Sequence, residues 1–464
     1  MLDRRQFLKN SIALGGALSL GTLATPASGS NQLVLTAEES DTSPASDSLP
    51  ESRLWLYNQA SPGPEIRVQQ GETVRVRLVN KLPEATSIHW HGIRIINAMD
   101  GVSGLTQDAV PSGQEFEYEF VVPDAGTYWY HAHNRSWNQV TRGLYGPLIV
   151  EEPETVIDRV HDLTLVIDDW RLTREGRLDL ESLGSMMDWS HAGRLGNFVT
   201  INGASQPTYE LKAGQGYRVR LINASNARTF IIDPSRFGAR ILALDGQPVS
   251  DTSDQAGQIQ IGSGQRVDLF LAPTNTGKLE LETLVRDQFI SLALFNVVGN
   301  LTQAAPFPRL PSNKLPEPDL NNARRIPLEM TGGAMGTFVE TTYKGKILSR
   351  EDFRATRQLW AFNGVANLAK EPLFSAKIGE TIIVEARNQT AFQHAIHLHG
   401  HHFQVLQSDV DGTGSMGNWR DTFLIEPNEQ VDVALVADNP GKWLFHCHML
   451  EHAAAGMNTW FEVV

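Results

Sequence analysis

The chain has 464 residues, of which 41% are hydrophobic and 20% charged, and it is long enough for two to four globular domains. With 39 basic and 53 acidic residues, a formal net charge of −14, it lacks the basic surface that phosphate binding requires, so we expect no nucleic-acid partner. The single cysteine, Cys447, excludes an intrachain disulfide framework.

Residues 1–28 have the pattern of an export signal. Arg4 and Arg5 precede an apolar run over 12–23, which a segment of small residues follows. The paired arginines indicate the twin-arginine pathway, which exports folded proteins to the periplasm or beyond. The apolar run is too short, and too rich in Gly and Ser, for a stable membrane span. We therefore expect a periplasmic or secreted protein that is not inserted in a membrane after signal removal.

Residues 29–50 are rich in Ser, Thr, Asp and Glu, and we expect a flexible leader there. From residue 51 onward, alternating apolar and polar residues bounded by Gly, Pro and Asn predict β-strands, whereas helical periodicity is scarce. The sequence therefore predicts an all-β protein.

A ten-residue pattern that begins with Gly and ends with Asn occurs three times. Its copies span 71–80, 214–223 and 379–388. Three homologous β domains explain this repeat best. We place the domains at 51–155, 156–304 and 321–464, with a Pro-rich linker over 305–320.

A second pattern is shared by the two outer domains only. In it an Asp is followed by a turn glycine and then by an aromatic strand that ends in histidine, as in 124–131 and again in 438–446. The comparable segment of the middle domain, 273–279, contains no histidine. The outer domains are therefore predicted to carry metal ligands, and the middle domain to be a spacer.

Histidines lie two positions apart five times in the sequence. These pairs are His89/His91, His131/His133, His397/His399, His399/His401 and His446/His448. Random placement of 14 histidines would give roughly 0.4 such pairs, so chance does not explain five. Because side chains at i and i+2 share one face of a strand, each pair can present two imidazoles to one metal ion.

The segment after Cys447 narrows the choice of metal. His452 follows five residues later and Met457 ten residues later, and one cysteine, two histidines and a weak axial methionine form a blue-copper site. His394 is the natural second histidine, since His397 continues on the following strand. Zinc would favour a closed tetrahedral site or an open three-ligand site, and neither uses so many interleaved histidine pairs.

Four segments resemble the four copper motifs of the multicopper oxidases, the family of the laccases. They are 89–92, 131–133, 394–401 and 446–457. The resemblance covers about 50–464 and implies three consecutive cupredoxin-like Greek-key domains. The sequence departs from many members at Ala395, where they have proline, and no part of the copper chemistry depends on that position.

The resemblance implies four copper ions with the following ligands. The type 1 copper is held by His394, Cys447, His452 and Met457. The type 2 copper is held by His89 and His397. The type 3 pair is held by His91, His131, His133, His399, His446 and His448. Four other histidines, His161, His191, His401 and His402, lie outside this set.

The same resemblance implies an oxidase that reduces dioxygen to water with electrons taken singly from a donor and carried by Cys447. Family members specialised for cuprous ions often have a methionine-rich insertion, whereas the nine methionines here are scattered, so we expect phenols and aromatic amines as the donors. Glu451 would relay protons, and Asp100 would tune the water at the copper cluster. Their alternatives are a surface glutamate and an Asp-Gly turn. We expect a monomer.

Two other functions stay open at this point. One is the oxidation of cuprous ions in copper homeostasis, and the other is a non-catalytic role as a copper carrier or envelope scaffold. The segment 186–191 also has two interpretations, since it either borders the substrate entrance or packs on the second domain.

Overall fold

The computed structural model describes residues 32–47, 49–249, 257–299, 303–336, 339–407 and 417–464. The export signal predicted over 1–28 lies outside these ranges. In the described chain almost all regular structure is β, arranged in three successive domains of two layers each, as the sequence predicted.

The first domain packs two four-stranded sheets against each other, with strand orders β3-β1-β5-β7 and β4-β9-β8-β6. Its strands are β1 (Leu33–Thr42), β2 (Pro44–Asp47), β3 (Ser52–Tyr57), β4 (Ile66–Gln69), β5 (Thr73–Asn80), β6 (Ile88–His91), β7 (Glu115–Val121), β8 (Gly126–Ala132) and β9 (Tyr145–Glu151). A short helix, α1 (Ser136–Gln139), connects β8 to β9.

The middle domain has a six-stranded sheet of order β11-β10-β13-β18-β15-β16, a three-stranded sheet β12-β20-β19 and the pair β14-β17. Its strands are β10 (Asp162–Trp170), β11 (Phe198–Ile201), β12 (Thr208–Lys212), β13 (Tyr217–Asn223), β14 (Phe230–Ile232), β15 (Ala239–Leu244), β16 (Gln247–Pro248), β17 (Ile259–Ile261), β18 (Arg266–Leu271), β19 (Gly277–Val285) and β20 (Gln288–Val298). Helix α2 (Met186–Ser190) lies between β10 and β11.

The third domain has a six-stranded sheet β24-β21-β26-β31-β28-β29, a five-stranded sheet β25-β33-β32-β27-β30 and the pair β22-β23. Its strands are β21 (Arg324–Gly332), β22 (Thr342–Tyr343), β23 (Lys346–Ile347), β24 (Trp360–Phe362), β25 (Ser375–Ala376), β26 (Thr381–Asn388), β27 (His394–Leu398), β28 (Phe403–Gln407), β29 (Trp419–Arg420), β30 (Thr422–Ile425), β31 (Gln430–Val436), β32 (Gly441–Cys447) and β33 (Asn458–Val463). Two helices, α3 (Arg350–Thr356) and α4 (Leu450–Ala454), interrupt the strands.

The ten-residue repeat forms the same strand in every domain, namely β5, β13 and β26. Each copy pairs in parallel with the first strand of its domain, β1, β10 or β21. Each also pairs antiparallel with a later strand, β7, β18 or β31. The repeat therefore marks a topologically equivalent central strand, which explains why it recurs with constant spacing.

The predicted flexible leader is wrong for most of its described length. Residues 33–42 form β1, in which Leu35 and Ala37 are fully buried and the strand is hydrogen-bonded on both sides, to β3 and β5. The polar composition concealed a period-2 pattern, because Leu33, Leu35 and Ala37 alternate with Val34 and Thr36 along a strand. The Pro-rich linker, by contrast, contains no helix or strand over 303–319.

The first and third domains share one continuous apolar core, whereas the middle domain has a separate one. Ion pairs with little access to solvent join the middle domain to both neighbours. Arg67 of the first domain donates to Asp162 on β10 at 2.9 Å. Arg266 on β18 donates to Asp421 of the third domain at 2.6 Å. Within the middle domain Arg218 pairs with Asp268 in the same way.

Among the described residues, no helix is long and apolar enough to cross a lipid bilayer.

Candidate metal centre

Two pairs of strands carry the paired histidines to the interface between the outer domains. In the first domain β6 and β8 are antiparallel neighbours, with His89 opposite His131. In the third domain β27 and β32 are antiparallel neighbours, with His397 opposite His446. Because alternate residues share a face, each strand contributes two imidazoles to the same side.

We call the resulting group the histidine cluster; it consists of His89, His91, His131, His133, His397, His399, His446 and His448. Its ring nitrogens fall into three sets of three, each within 4.8 Å. These sets are His89/His91/His397, His91/His131/His448 and His133/His399/His446. All eight residues proposed as type 2 and type 3 ligands are thus brought together.

A second group, the cysteine site, consists of His394, Cys447 and His452. The Nδ1 atoms of the two histidines are 3.1 Å apart, and the Cys447 Sγ lies 3.6 Å from His394 Nδ1 and 3.9 Å from His452 Nδ1. A point about 2.0 Å from each nitrogen and about 2.3 Å from the sulfur satisfies these separations. The three side chains are fully buried and suit one trigonally coordinated ion.

Met457 is also fully buried beside this site, and its carbonyl accepts a hydrogen bond from the Cys447 amide at 3.0 Å. That bond brings the two backbones together as the proposed axial ligation requires. The ten-residue spacing arises because α4 and its following turn return the chain to the end of β32.

Most of these imidazoles are held neutral. Burial is the largest cause that lowers the pKa of His131, His399, His446 and His448 well below the ordinary range, and the neighbouring histidines act in the same direction. Burial also lowers the pKa of His133 to about 3 and that of His452 to about 4. Neutral imidazole is the form that binds metal ions.

Hydrogen bonds at the outer nitrogens point bare nitrogens inward. His399 Nδ1 donates to the Asp100 carboxylate at 3.1 Å, and His446 Nδ1 donates to the Cys447 carbonyl at 3.0 Å. Their Nε2 atoms therefore carry lone pairs, yet they face each other at 3.1 Å. Such an arrangement is repulsive unless a cation lies between or beside the two rings, so the donor set fits bound metal.

Three cluster nitrogens are buried without a hydrogen-bond partner among the described residues, namely His89 Nε2, His397 Nε2 and His91 Nδ1. For His89 and His397 the Nδ1 atom donates to a backbone carbonyl, at 2.9 Å in both cases. His91 is reversed, because its Nε2 lies 3.2 Å from the Asp421 carboxylate and its Nδ1 is left bare. A buried nitrogen without a partner is costly, and bound metal ions would provide one for each of the three.

Cys447 can bind a metal ion only as a thiolate, and it needs the metal ion to become one. Burial raises the pKa of the Cys447 thiol to about 12, so the isolated side chain would stay protonated. Metal ligation deprotonates a thiol, because the thiolate is the ligand. A His₂Cys set with a buried methionine nearby is the donor combination of copper.

The two predicted acids are both buried at the centre. Asp100 contacts two cluster histidines: its carboxylate accepts from His399 Nδ1, and its backbone carbonyl accepts from His89 Nδ1. Glu451 accepts from Asn226 Nδ2 at 2.8 Å and from the Arg194 amide at 3.2 Å. Burial raises the pKa of Glu451 to about 7. Glu451 is therefore not a surface residue, whereas Asp100 does lie in a turn before Gly101, which has φ +85°, and also holds His399 through its carboxylate.

The middle domain is more than the predicted spacer. Ser263 Oγ donates to the Ser225 carbonyl and lies 3.0 Å from His448 Nδ1, and the His191 carbonyl accepts from His452 Nε2 at 2.5 Å. Sequence reasoning did not identify Ser263, Arg266 or Asp421. None lies beside a histidine pair in the sequence, and only the fold shows that they touch ligands.

Of the remaining histidines, His401 and His402 are buried next to the cluster. His401 Nδ1 lies 3.3 Å from the His399 carbonyl, and His402 Nε2 lies 3.8 Å from the Asp421 carboxylate. His161 lies away from both sites, against Tyr217.

Comparisons with known proteins agree with this architecture. Family models described as multicopper oxidase match 38–155, 161–278 and 341–464. The multicopper oxidase MmcO of Mycobacterium tuberculosis is 30% identical over 441 residues, which is 88% of this chain and 82% of that protein.

Solved structures show the same fold. A multi-copper oxidase from Pseudomonas thermotolerans is 34% identical, with a TM-score of 0.80 over 94% of this chain and 99% of that one. Lac15 from a marine microbial metagenome is 37% identical, with a TM-score of 0.74 over 93% of this chain and 100% of that one.

Removal of bound copper should destabilise the protein, because the facing lone pairs would lose their cation. We expect copper-reloaded protein to unfold at a higher temperature than chelator-treated protein. Each occupied site should add about 2.7 kcal/mol to the free energy of unfolding when free copper is 100-fold above its dissociation constant. Thermal unfolding followed by circular dichroism measures the difference. It should shrink in His446→Ala and persist in His161→Ala, and equal unfolding temperatures with and without copper would contradict the metal assignment.

Proposed function

Because the chain belongs to the multicopper oxidase family, we propose that it couples one-electron oxidation of a reducing substrate at the cysteine site to four-electron reduction of dioxygen to water at the histidine cluster. The position of Cys447 carries this proposal. Its side chain belongs to the cysteine site. The residues before and after it, His446 and His448, belong to two different sets of the histidine cluster.

The residues present can hold four copper ions. A type 1 copper would be bound by His394, Cys447 and His452, with Met457 as the weak axial ligand. His89 and His397 would bind a type 2 copper, and the other six histidines of the cluster a type 3 pair. When bound, copper supplies both the one-electron carrier and the place where dioxygen is reduced.

The strand geometry explains how one residue can serve both sites. At the end of β32 successive side chains point to opposite faces, so Cys447 faces His394 and His452 while His446 and His448 face the cluster. An electron that enters at the cysteine sulfur therefore reaches a cluster ligand through a few covalent bonds of one peptide segment.

Glu451 and Asp100 would manage the protons that oxygen reduction consumes. With a pKa near 7, Glu451 can hold a proton or release it at neutral pH, and Asn226 fixes its orientation. Asp100 keeps the rings of His89 and His399 in the tautomer that turns Nε2 inward.

We propose phenols and aromatic amines as the electron donors. His452 is fully buried, and its Nε2 already donates to the His191 carbonyl. A donor would thus contact the outer side of residues 186–191 without touching His452, the proposed copper ligand. Because the donor would contact a backbone peptide group and no specific side chain, we expect the protein to accept donors of many shapes.

One observation favours cuprous ions as a second candidate donor. Met186, Met187 and Met335 are 39%, 63% and 77% exposed. Their two segments are joined by a hydrogen bond from the Ala334 amide to the Ser190 carbonyl at 2.6 Å, next to His191. Thioether sulfur is a soft ligand that selects Cu(I).

Our proposal for cellular location rests on the sequence of residues 1–28. We propose export of the folded chain by the twin-arginine pathway to the periplasm or the medium, where it would act as a monomer.

Replacing Cys447 should separate an enzyme from a copper carrier. Copper-loaded wild type should be intensely blue and consume oxygen in the presence of a donor. Cys447→Ser should be colourless and inactive, because the hydroxyl cannot supply the thiolate. Visible absorption and an oxygen electrode measure the two properties. A colourless wild type with a full complement of copper would refute the type 1 assignment.

Donor preference should be settled by kcat/KM for a dimethoxyphenol and for Cu(I) in the same preparation. We expect measurable phenol turnover that is unchanged in Met187→Leu and Met335→Leu, because leucine keeps the volume and removes only the sulfur. A variant with both substitutions tests the alternative. If it lost Cu(I) oxidation but no phenol oxidation, and the wild type barely oxidised the phenol, the cuprous alternative would replace the phenol proposal.

Glu451→Gln tests the proton role. The amide keeps the hydrogen-bonding shape but cannot transfer a proton, so kcat should fall about 100-fold or more while KM for the donor stays constant. Exposed Glu371→Gln is the matched control and should behave as wild type in steady-state oxygen consumption. An unchanged kcat in Glu451→Gln would remove Glu451 from the proton path.

A further inference from the structure

We propose that Arg266, a residue of the middle domain, is a positioning residue for the histidine cluster. It fixes the Asp421 carboxylate, which in turn fixes the ring of His91. The inference rests on the proposed function, since it assigns the middle domain a part in holding the cluster copper ions.

Arg266 is held in a single orientation by the acceptors around it, and the Asp245 carboxylate also lies 3.5 Å from its Nη1 atom. Its Nη1 and Nη2 atoms donate to the two oxygens of Asp421 at 2.8 and 2.6 Å. Its Nε donates to the Thr127 carbonyl at 3.0 Å, and Nη1 also reaches the Gly264 carbonyl at 3.3 Å. Both side chains of the ion pair are 0% exposed. Only a guanidinium can make this planar two-point contact while meeting the other acceptors.

The partner of Arg266 touches two cluster ligands. Asp421 Oδ1 lies 3.2 Å from His91 Nε2, and the Asp421 carbonyl accepts from His397 Nδ1 at 2.9 Å. Thr422 Oγ1 also donates to Oδ1, at 2.8 Å. Asp421 therefore sets the orientation of one ring from each outer domain.

The charge on Asp421 decides which nitrogen His91 offers. A carboxylate accepts only, so His91 must carry its proton on Nε2 and present bare Nδ1, whereas His89 and His397 present Nε2. Without Arg266 the carboxylate would be an unpaired buried charge, which is strongly unfavourable. Rotation or neutralisation of that carboxylate would release the His91 ring.

Other groups around Asp421 do not replace Arg266. His402 Nε2 is 3.8 Å away, and Arg420 makes its pair with Asp245 instead, at 3.4 Å. Gly92 has φ +88°, and a Cβ there would collide with both the guanidinium and the carboxylate. The backbone next to His91 is therefore packed directly against the ion pair, and position 92 has no space for a side chain.

A purely structural role for the pair is the competing explanation, and the neighbouring strand offers a matched control. Arg218 is also a buried arginine of the middle domain, 2% exposed and paired with Asp268 at 2.5 Å, but its ion-pair partners, Asp268 and Glu152, are not cluster residues. Loss of Arg218 should therefore destabilise the domain without altering the cluster.

The test compares Arg266→Met, Arg266→Lys, Asp421→Asn and Arg218→Met with wild type, each as the full copper-loaded chain. Copper per chain, electron paramagnetic resonance of the cluster, blue absorbance, thermal unfolding, and kcat and KM for a phenol are measured. Asp421→Asn is nearly isosteric and decides the question if the Arg266 variants do not fold.

We expect Arg266→Met and Asp421→Asn to bind cluster copper about 10–100-fold more weakly, with an altered resonance signal and lower kcat, while blue absorbance and KM stay at wild-type values. Arg266→Lys should recover the signal only in part. Arg218→Met should unfold at a lower temperature yet keep full copper content and the wild-type signal.

Wild-type copper content and resonance in Asp421→Asn, or copper loss in Arg218→Met as large as in Arg266→Met, would overturn the inference alone. Absence of cluster copper from the wild type would overturn the proposed function, and this inference with it.

Discussion

The structure depends on the cost of burying many neutral imidazoles with their lone pairs turned toward one another. His399 and His446 approach across 3.1 Å with both outer nitrogens already engaged. A hydrophobic core gains nothing from such an arrangement, so the surrounding chain must hold it against repulsion until a cation arrives. The continuous core shared by the outer domains and the ion pairs of the middle domain supply that resistance.

Much of this organisation could be predicted from the sequence because its signals are local. A period of two places paired histidines on one face of a strand, and a repeat of ten residues marks three equivalent central strands. The order Cys447, His452, Met457 gives the cysteine site in a single segment. These patterns need no knowledge of how the domains are arranged.

The sequence does not predict the contacts between residues far apart in the chain, nor a strand whose composition is mostly polar. Arg266 and Asp421 are 155 positions apart, and nothing in either neighbourhood marks them as partners. The composition of the first strand predicts a flexible leader because its acidic residues outweigh a weak apolar alternation, and its burial comes from β5, some forty residues later. The lack of histidine pairs in the middle domain predicts a spacer, although this domain supports ligands through hydroxyl, guanidinium and backbone groups.

The placement of the cluster on two ends of the chain has a consequence for biosynthesis. His89 and His91 leave the ribosome more than 350 residues before His446 and His448, and each set of the histidine cluster combines residues of the first domain with residues of the third. A growing chain can complete its first domain and still possess at most two of the three members of each cluster set, and no residue of the cysteine site. Neither site is therefore complete until translation has passed His448, and an unfinished chain exposed to oxygen before that point holds no assembled redox centre.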